Sequence, residues 1–305
     1  MSQPKPIKPI SWVKAARLRT LPLALSSVAL GSFLSVKSGT YSLAVIGLSV
    51  LTTLLLQILS NFANDYGDSE KGTDNEKRLG PVRTVQGGEI SKKEMRVGIA
   101  VSGFLSLVSG LFLIYFGLKT QLIPALVFFI IGLAAIAAAI KYVVGKNAYG
   151  YRGLGDVFVF IFFGLVGVVG SYYLNTQTAS LLVWLPAITI GLFSTGVLNL
   201  NNMRDAENDR ASHKITIPVR LGRSKSNLYH LFLIVTGWLC ALTFSLFSGY
   251  SPLQYIYLIT LPLFMRDLIK IVNTPDPQML DPYLKKLALS TLAFSLLFGV
   301  GLLLS

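Results

Sequence analysis

The sequence predicts an all-α polytopic membrane protein, a bundle of nine transmembrane helices. Three observations lead there. Of 305 residues, 52% are apolar and only 13% charged, and mean hydropathy is +0.61; a soluble globular chain carries about 25% charged residues. The apolar residues gather into runs long enough to cross a hydrocarbon core of about 30 Å. The basic residues fall almost entirely into alternate loops.

In chain order the apolar runs lie at 20–36, 42–62, 95–117, 121–140, 155–174, 180–200, 229–248, 252–271 and 286–304. The first is short, but Trp12 to Arg19 can precede it as an interfacial stretch. Ser91 and Glu94 form a capping box that opens the third. Gly164, Gly167 and Gly170 give the fifth a stripe for close helix packing. The eighth carries an N-terminal Ser251-Pro252 pair suited to a helix start, an interrupting Pro262, and Arg266, Asp267 and Lys270 crowded at its end. The whole chain, 1–305, reads as one integral membrane domain with an N-terminal arm, 1–19. That arm holds Lys5 and Lys8 among prolines and has no A-x-A site, so no cleavable signal is expected.

The charges test this count. Nine spans place the termini on opposite sides, and the arm together with the loops after spans two, four, six and eight then holds all of the 27 Lys and Arg except Lys37 and Lys119. The positive-inside rule makes that side cytoplasmic, with the C-terminus opposite. The net charge of +13 therefore encodes topology before it suggests nucleic acid. The single Cys240 excludes an internal disulfide, and with two histidines no Cys/His metal cluster is expected. The absence of a Walker A sequence or a complete G-x-G-x-x-G argues against a bound nucleotide.

All 14 acidic residues also fall on the cytoplasmic side, and two clusters stand out. After span two the chain reads Asn61-Phe-Ala-Asn64-Asp65-Tyr66-Gly-Asp68-Ser-Glu70-Lys71-Gly-Thr-Asp74. After span six it reads Asn201-Asn202-Met-Arg204-Asp205-Ala-Glu207-Asn208-Asp209-Arg210. Asn201, Asp205 and Asp209 are four apart, and Asn61, Asp65 and Asp68 follow steps of four and three, so each set stacks on one helix face if the helices continue. Like charges at a membrane boundary are costly unless cations neutralise them. Paired hard oxygen ligands suit Mg²⁺, which prefers one or two carboxylates plus a substrate phosphate to a closed protein cage. A transporter would instead place ionisable groups near the bilayer midplane, where this chain has almost none.

At these residues the chain resembles the UbiA superfamily of intramembrane prenyltransferases, and most of all its naphthoate-prenylating branch. The resemblance runs from Ala16-Arg17-Leu-Arg19-Thr20 through both acidic motifs, through Gly145-Lys146-Asn147-Ala-Tyr149-Gly150-Tyr151-Arg152, to Val219-Arg220-Leu-Gly222. One departure concerns the first motif, usually N-D-x-x-D-x-x-x-D: the position four after Asp68 is Gly72, and the next aspartate is Asp74. This displacement fits the naphthoate branch.

The resemblance implies a UbiA-type bundle with a cavity open to the cytoplasm and a lateral opening for a lipid tail. It implies Mg²⁺-dependent transfer of a polyprenyl group from polyprenyl diphosphate to 1,4-dihydroxy-2-naphthoate, with loss of CO₂, in menaquinone biosynthesis. 4-Hydroxybenzoate, homogentisate or a haem are the alternative acceptors. Asp65, Asp68, Asp205 and Asp209 would hold metal, with Asp74 a further ligand, and Asn61, Asn64 and Asn201 would join them on the diphosphate. Arg19, Lys141 and Arg152, then Lys71 and Arg78, are the candidate diphosphate cations. Arg152 or Arg83 could meet an acceptor carboxylate. Tyr149, with Tyr66, Tyr142 and Tyr151, would stand near the allylic cation, and Asp156 could orient a cation or an acceptor hydroxyl. Snorkelling and helix-end charge account equally well for Arg19, Lys141 and Asp156, and an interfacial aromatic belt is the commoner origin of such tyrosines. The bilayer, here the bacterial inner membrane, is the expected setting, and no protein partner follows from the residues.

Overall fold

The computed structural model describes residues 9–305, which form helices and turns without a strand; the first eight residues of the N-terminal arm lie outside them. A short α1 (Pro9–Ala16) meets α2 (Leu21–Lys37) through a turn in which Arg17 takes a left-handed φ of 51°. Next come α3 (Leu43–Glu70), α4 (Lys92–Leu118), α5 (Leu122–Lys141) and α6 (Gly155–Thr176), whose middle, Phe160–Gly170, is wound as a π-helix. α7 (Trp184–Arg204) runs into the short α8 (Ala206–Ala211). The bundle closes with α9 (Ile217–Ser248), α10 (Leu261–Asn273) and α11 (Asp281–Leu304).

Eight helical stretches among the described residues are long and apolar enough to cross a membrane. The eighth predicted run is the exception, because it is composite: a 3₁₀ stretch over Pro252–Thr260 passes into α10. Pro252 and Pro262 each remove a backbone donor, and the charges near Asp267 lower its apolarity. Its first part packs on α11, where the Tyr257 ring meets Phe294 and Phe298. The Gln254 carbonyl packs at Gly301, while Arg223 Nη2 donates to the carbonyls of Ile271 and Thr274 at the far end. Ser251 sits at the predicted N-cap with Pro252 following, but its side chain makes no capping bond. The Ser91–Glu94 capping box forms as expected, each side chain meeting the other's backbone N–H.

α7 is the axis of the core. Phe193 on α7 packs against Trp238 (α9), Phe264 (α10) and Phe294 (α11), with ring centroids 6.0, 4.7 and 5.4 Å apart. α4 and α5 instead turn apolar side chains outward, Phe104, Leu122 and Ile123 among them, as a lipid-facing wall does. The glycine stripe of α6 divides its work. Gly164 lies against the Ala187 carbonyl and Gly191 of α7, Gly167 lies against Ser27 of α2, and Gly170 borders open space beside Phe128.

A Cβ on Gly164 would come within 2.7 Å of backbone atoms of α7, whereas one on Gly132 would meet nothing within 4 Å. Gly164→Val should therefore destabilise the bundle by about 1–3 kcal/mol and lower its melting temperature in detergent, while Gly132→Ala leaves it unchanged or higher; thermal unfolding followed by circular dichroism checks both.

Candidate active site

One cavity of about 380 Å³ opens at the charged end of the bundle and continues as an apolar shaft between α2, α3, α4, α5 and α6. Along α3 alone its wall extends from Asp68 to Ser49, which at about 1.5 Å per residue is roughly 28 Å. Leu113, Ile114, Phe128, Ile131, Phe162 and Val166 line the shaft. At the mouth stand Asn61, Asn64, Asp68, Asn201, Asp205 and Asp209, among Arg17, Arg19, Arg78, Arg83, Lys214 and Lys285.

The acids reach the mouth through two similar backbone devices. α3 stays helical to Glu70, and Gly72 then turns left-handed at φ 72°, so that Thr73 N–H donates back to the Asp68 carbonyl at 3.0 Å. α7 bends at Asp205 without losing its register, because Asp205 N–H still donates to Asn201 and Asp209 N–H to Asp205. Asn201, Asp205 and Asp209 thus remain stacked. After α8, His213 turns left-handed at φ 55° and Lys214 N–H donates back to the Asp209 carbonyl at 2.8 Å. Both are Schellman closures, in which the second residue past the cap returns to the last turn.

Buried cations hold these walls together. Arg204, fully buried, donates from Nε and Nη2 to Asp205, from Nη2 to Asn201 and from Nη1 to Asp281. Arg78 lies 3.2 Å from Asp74 and 3.7 Å from Asp205. Lys214 Nζ lies 3.6 Å from Asp209 and 4.0 Å from Asp68, one acid from each motif. Burial pushes the Asp209 carboxyl up to about 6 against the pull of Lys214. Burial alone would lower the Lys214 ammonium, but Asp68 and Asp209 hold it well above its ordinary value. Tyr151 donates its hydroxyl to Asp68 at 2.8 Å, and its ring carries the Lys71 ammonium 3.9 Å from its centroid.

The donor set fits a hard divalent cation. Asn64 Oδ1 and Asp209 Oδ2 are buried oxygens without a hydrogen-bond partner, and both residues line the mouth. Among the described residues no three carboxylate, His or Cys groups converge as a metal cage, so Mg²⁺ here would need oxygens from a substrate as well.

The chain matches the UbiA prenyltransferase family over residues 24–303. It belongs to that family. It is 43% identical over 295 residues to the 1,4-dihydroxy-2-naphthoate octaprenyltransferase of Haemophilus influenzae, covering 96% of this chain and 95% of the relative. It is 39% identical to the Escherichia coli protein of the same name, covering 97% and 96%. Among solved structures it superposes on a UbiA homologue from Aeropyrum pernix with a TM-score of 0.69 at 17% identity, over 94% of this chain and 98% of that one. A UbiA homologue from Archaeoglobus fulgidus, bound to DMAPP and Mg²⁺, aligns with a TM-score of 0.57 at 16% identity, over 93% and 99%.

Within this UbiA bundle several predicted site residues stand away from the cavity. Asp65 faces the loop that follows α3: Oδ2 accepts from Thr84 N–H and hydroxyl at 3.1 and 2.6 Å, and Oδ1 from Val85 N–H at 3.2 Å. It anchors that loop. Asp74, folded back by the Gly72 turn, is buried against Arg78 and Arg83, and burial with the nearby Asp68 charge pushes it up to about 7. Lys71 sits on Tyr151, as noted. Lys141 is exposed beside Gly145, and Arg152 is exposed and bonded to Asn147. Asp156 is buried and accepts from the Tyr229 hydroxyl on α9 at 3.0 Å. Of the tyrosines, Tyr142 and Tyr149 line the cavity, while Tyr66 packs beside Phe62 and Trp12. Tyr149 stacks on Phe158 at 3.9 Å and donates its hydroxyl to the Ala138 carbonyl.

Arg17, Arg204, Lys214 and Lys285 were not singled out by the sequence reading. Arg17 and Arg204 lie within the sequence motifs, but only its left-handed turn brings Arg17 to the mouth; Lys214 lies in a polar loop whose closure has no periodic signature.

Two substitutions separate these roles. Asp65→Ala should loosen the 71–90 loop, seen as faster proteolysis there, whereas Asp68→Ala leaves proteolysis unchanged. Arg204→Met removes the cation hydrogen-bonded to both Asp205 and Asp281, leaving them only the longer pairs with Arg78 and Arg19 at 3.7 and 3.5 Å, and should destabilise the bundle, read as a drop in melting temperature.

Proposed function

We propose that this UbiA family member transfers a polyprenyl group from polyprenyl diphosphate to 1,4-dihydroxy-2-naphthoate, with release of diphosphate and CO₂, as a step of menaquinone biosynthesis. The observation that carries this reading is one continuous cavity whose mouth joins paired acids to a ring of cations and whose shaft is apolar. A diphosphate and a long hydrocarbon tail on one molecule need these two environments in contact. The names of the relatives from Haemophilus and Escherichia support the naphthoate acceptor.

Asn64, Asp68, Asp205 and Asp209 would hold Mg²⁺, which supplies charge stabilisation to the leaving diphosphate. The residues of the chain do the rest. Arg17, Arg19 and Arg78 line the mouth and draw the diphosphate oxygens to one side of the allylic carbon. Asn61 is fixed by its Nδ2 donating to the Ala16 carbonyl and the Thr20 hydroxyl, so its carboxamide oxygen keeps one orientation. The rings of Tyr142 and Tyr149 face the cavity beside Phe158 and Phe162. Their faces stabilise positive charge as the C–O bond ionises, and the apolar shaft keeps water from the cation.

An acceptor carboxylate needs a cation at the mouth. Of the two candidates, Arg152 stands outside the cavity, whereas Arg83 lines it, with its Nε 3.7 Å from Asp74. Arg83 therefore receives the carboxylate, which places the neighbouring ring carbon toward the shaft for attack and loss of CO₂. The charged end faces the cytoplasm and the C-terminus the opposite side of the bacterial inner membrane, the arrangement that the Lys and Arg segregation favours.

Membranes holding the protein should prenylate 1,4-dihydroxy-2-naphthoate from an all-trans polyprenyl diphosphate only when Mg²⁺ is present, and should leave 4-hydroxybenzoate untouched. Asp68→Asn or Asp209→Asn should lower kcat by roughly 10²–10³-fold, while Lys141→Ala and Arg152→Ala stay within a few-fold of wild type. Product formation by chromatography decides; prenylation of hydroxybenzoate instead of the naphthoate overturns the acceptor assignment.

A further inference from the structure

Lys214 lines the mouth without a task in the proposed reaction. Its side chain is about 7% exposed, and its ammonium stands between Asp68 of the first acidic motif and Asp209 of the second, at 4.0 and 3.6 Å. It also lies 5.5 Å from the centroid of the Tyr151 ring, whose hydroxyl bonds Asp68. The position is fixed by the backbone. The Lys214 N–H returns to the Asp209 carbonyl, the Ile215 N–H donates to the Tyr151 carbonyl, and His213 accepts a left-handed φ so that the turn can close. Asp209 Oδ1 is held by this ammonium while Oδ2 has no partner.

We propose that Lys214 is a tethered counter-ion that occupies the gap between the two acidic motifs and must give it up before a divalent cation can bridge them. A free divalent ion arriving alone would meet the ammonium at close range, among five arginine and lysine side chains that also line the mouth. A diphosphate changes the balance, since its oxygens offer the ammonium a new partner as the metal takes the carboxylates. Metal and diphosphate thereby enter as a coupled pair, and the chain does not load metal in the absence of substrate. This rests on the reading of Asp68 and Asp209 as metal-holding residues.

Equilibrium dialysis of Mn²⁺ against the purified full-length protein, with and without inorganic diphosphate, tests it. Wild type should retain Mn²⁺ tightly only with diphosphate. Lys214→Gln should bind Mn²⁺ alone at least about tenfold more tightly than wild type, since one like charge about 4 Å away is gone. Mn²⁺ alone should then raise the melting temperature of Lys214→Gln but not that of wild type or Lys214→Arg. Lys214→Gln binding Mn²⁺ alone no better than wild type overturns the proposal. Should Lys214→Gln fail to fold, wild type still decides, because Mn²⁺ binding that is equally tight with and without diphosphate also overturns it. Wild type that retains no Mn²⁺ even with diphosphate overturns the metal-site reading itself, a distinct result.

Discussion

Carboxylates buried at the mouth of a membrane cavity stay charged only if cations meet them there, and the charged end of this bundle is organised by that requirement. Asp205 is clasped by Arg204 and approached by Arg78, Asp74 is enclosed by Arg78 and Arg83, and Asp68 and Asp209 share Lys214. Taking one partner away from such a pair costs more than the pair contributes, because the other charge is left buried and alone. The three helices that supply these groups are thereby tied at one end by ions, while α7, α9, α10 and α11 are joined by aromatic packing around Phe193. The ionic end is where the proposed reaction would take place, and the aromatic packing joins the helices of the core.

Two helix ends convert this requirement into a site. The closures at Gly72 and His213 each turn the chain back on an acidic residue, delivering Thr73 to Asp68 and Lys214 to Asp209. Asn208, on the second motif, donates to the Thr73 carbonyl at 2.8 Å, so the two closures are stitched to one another. The walls therefore face across a fixed gap rather than moving as independent loops. A non-glycine residue at the left-handed position, as at His213, costs local strain, and the returning hydrogen bonds to the last turn offset it.

Much of this was legible in the sequence, and the failures have physical causes. Spacing alone placed Asn201, Asp205 and Asp209 on one face, and they remain stacked although the helix bends at Asp205, because the hydrogen bonds through the bend survive. The same rule put Asp65 with Asn61 and Asp68, yet Asp65 is turned toward the loop at Thr84, since a helix face is wide enough for one acid to serve the cavity and its neighbour to serve the loop. The missing acid at position 72 marked a turn: glycine there lets the chain reverse, which carries Asp74 away from the mouth. Lys141 and Arg152 followed the charge bias of that end and point to water. Lys214 and Arg17 could not be seen, because a non-periodic turn decides where they aim. Eight of the nine expected crossings are helices long and apolar enough to span among the described residues; the eighth run is not one of them, its prolines and charges leaving a 3₁₀ stretch joined to a shorter α-helix.

In the proposed reaction the two acidic motifs jointly hold the metal and the diphosphate, with Asp65 and Asp156 outside the site. Anomalous scattering from Mn²⁺ in crystals grown with an unreactive prenyl thiodiphosphate measures this most directly. Metal peaks are expected in the gap between Asp68 and Asp209, within about 2.3 Å of carboxylate oxygens, with the diphosphate against Arg17, Arg19 and Arg78 and the tail in the shaft. Metal bound at Asp65 or Asp156, or a diphosphate lodged away from the second motif, would contradict it.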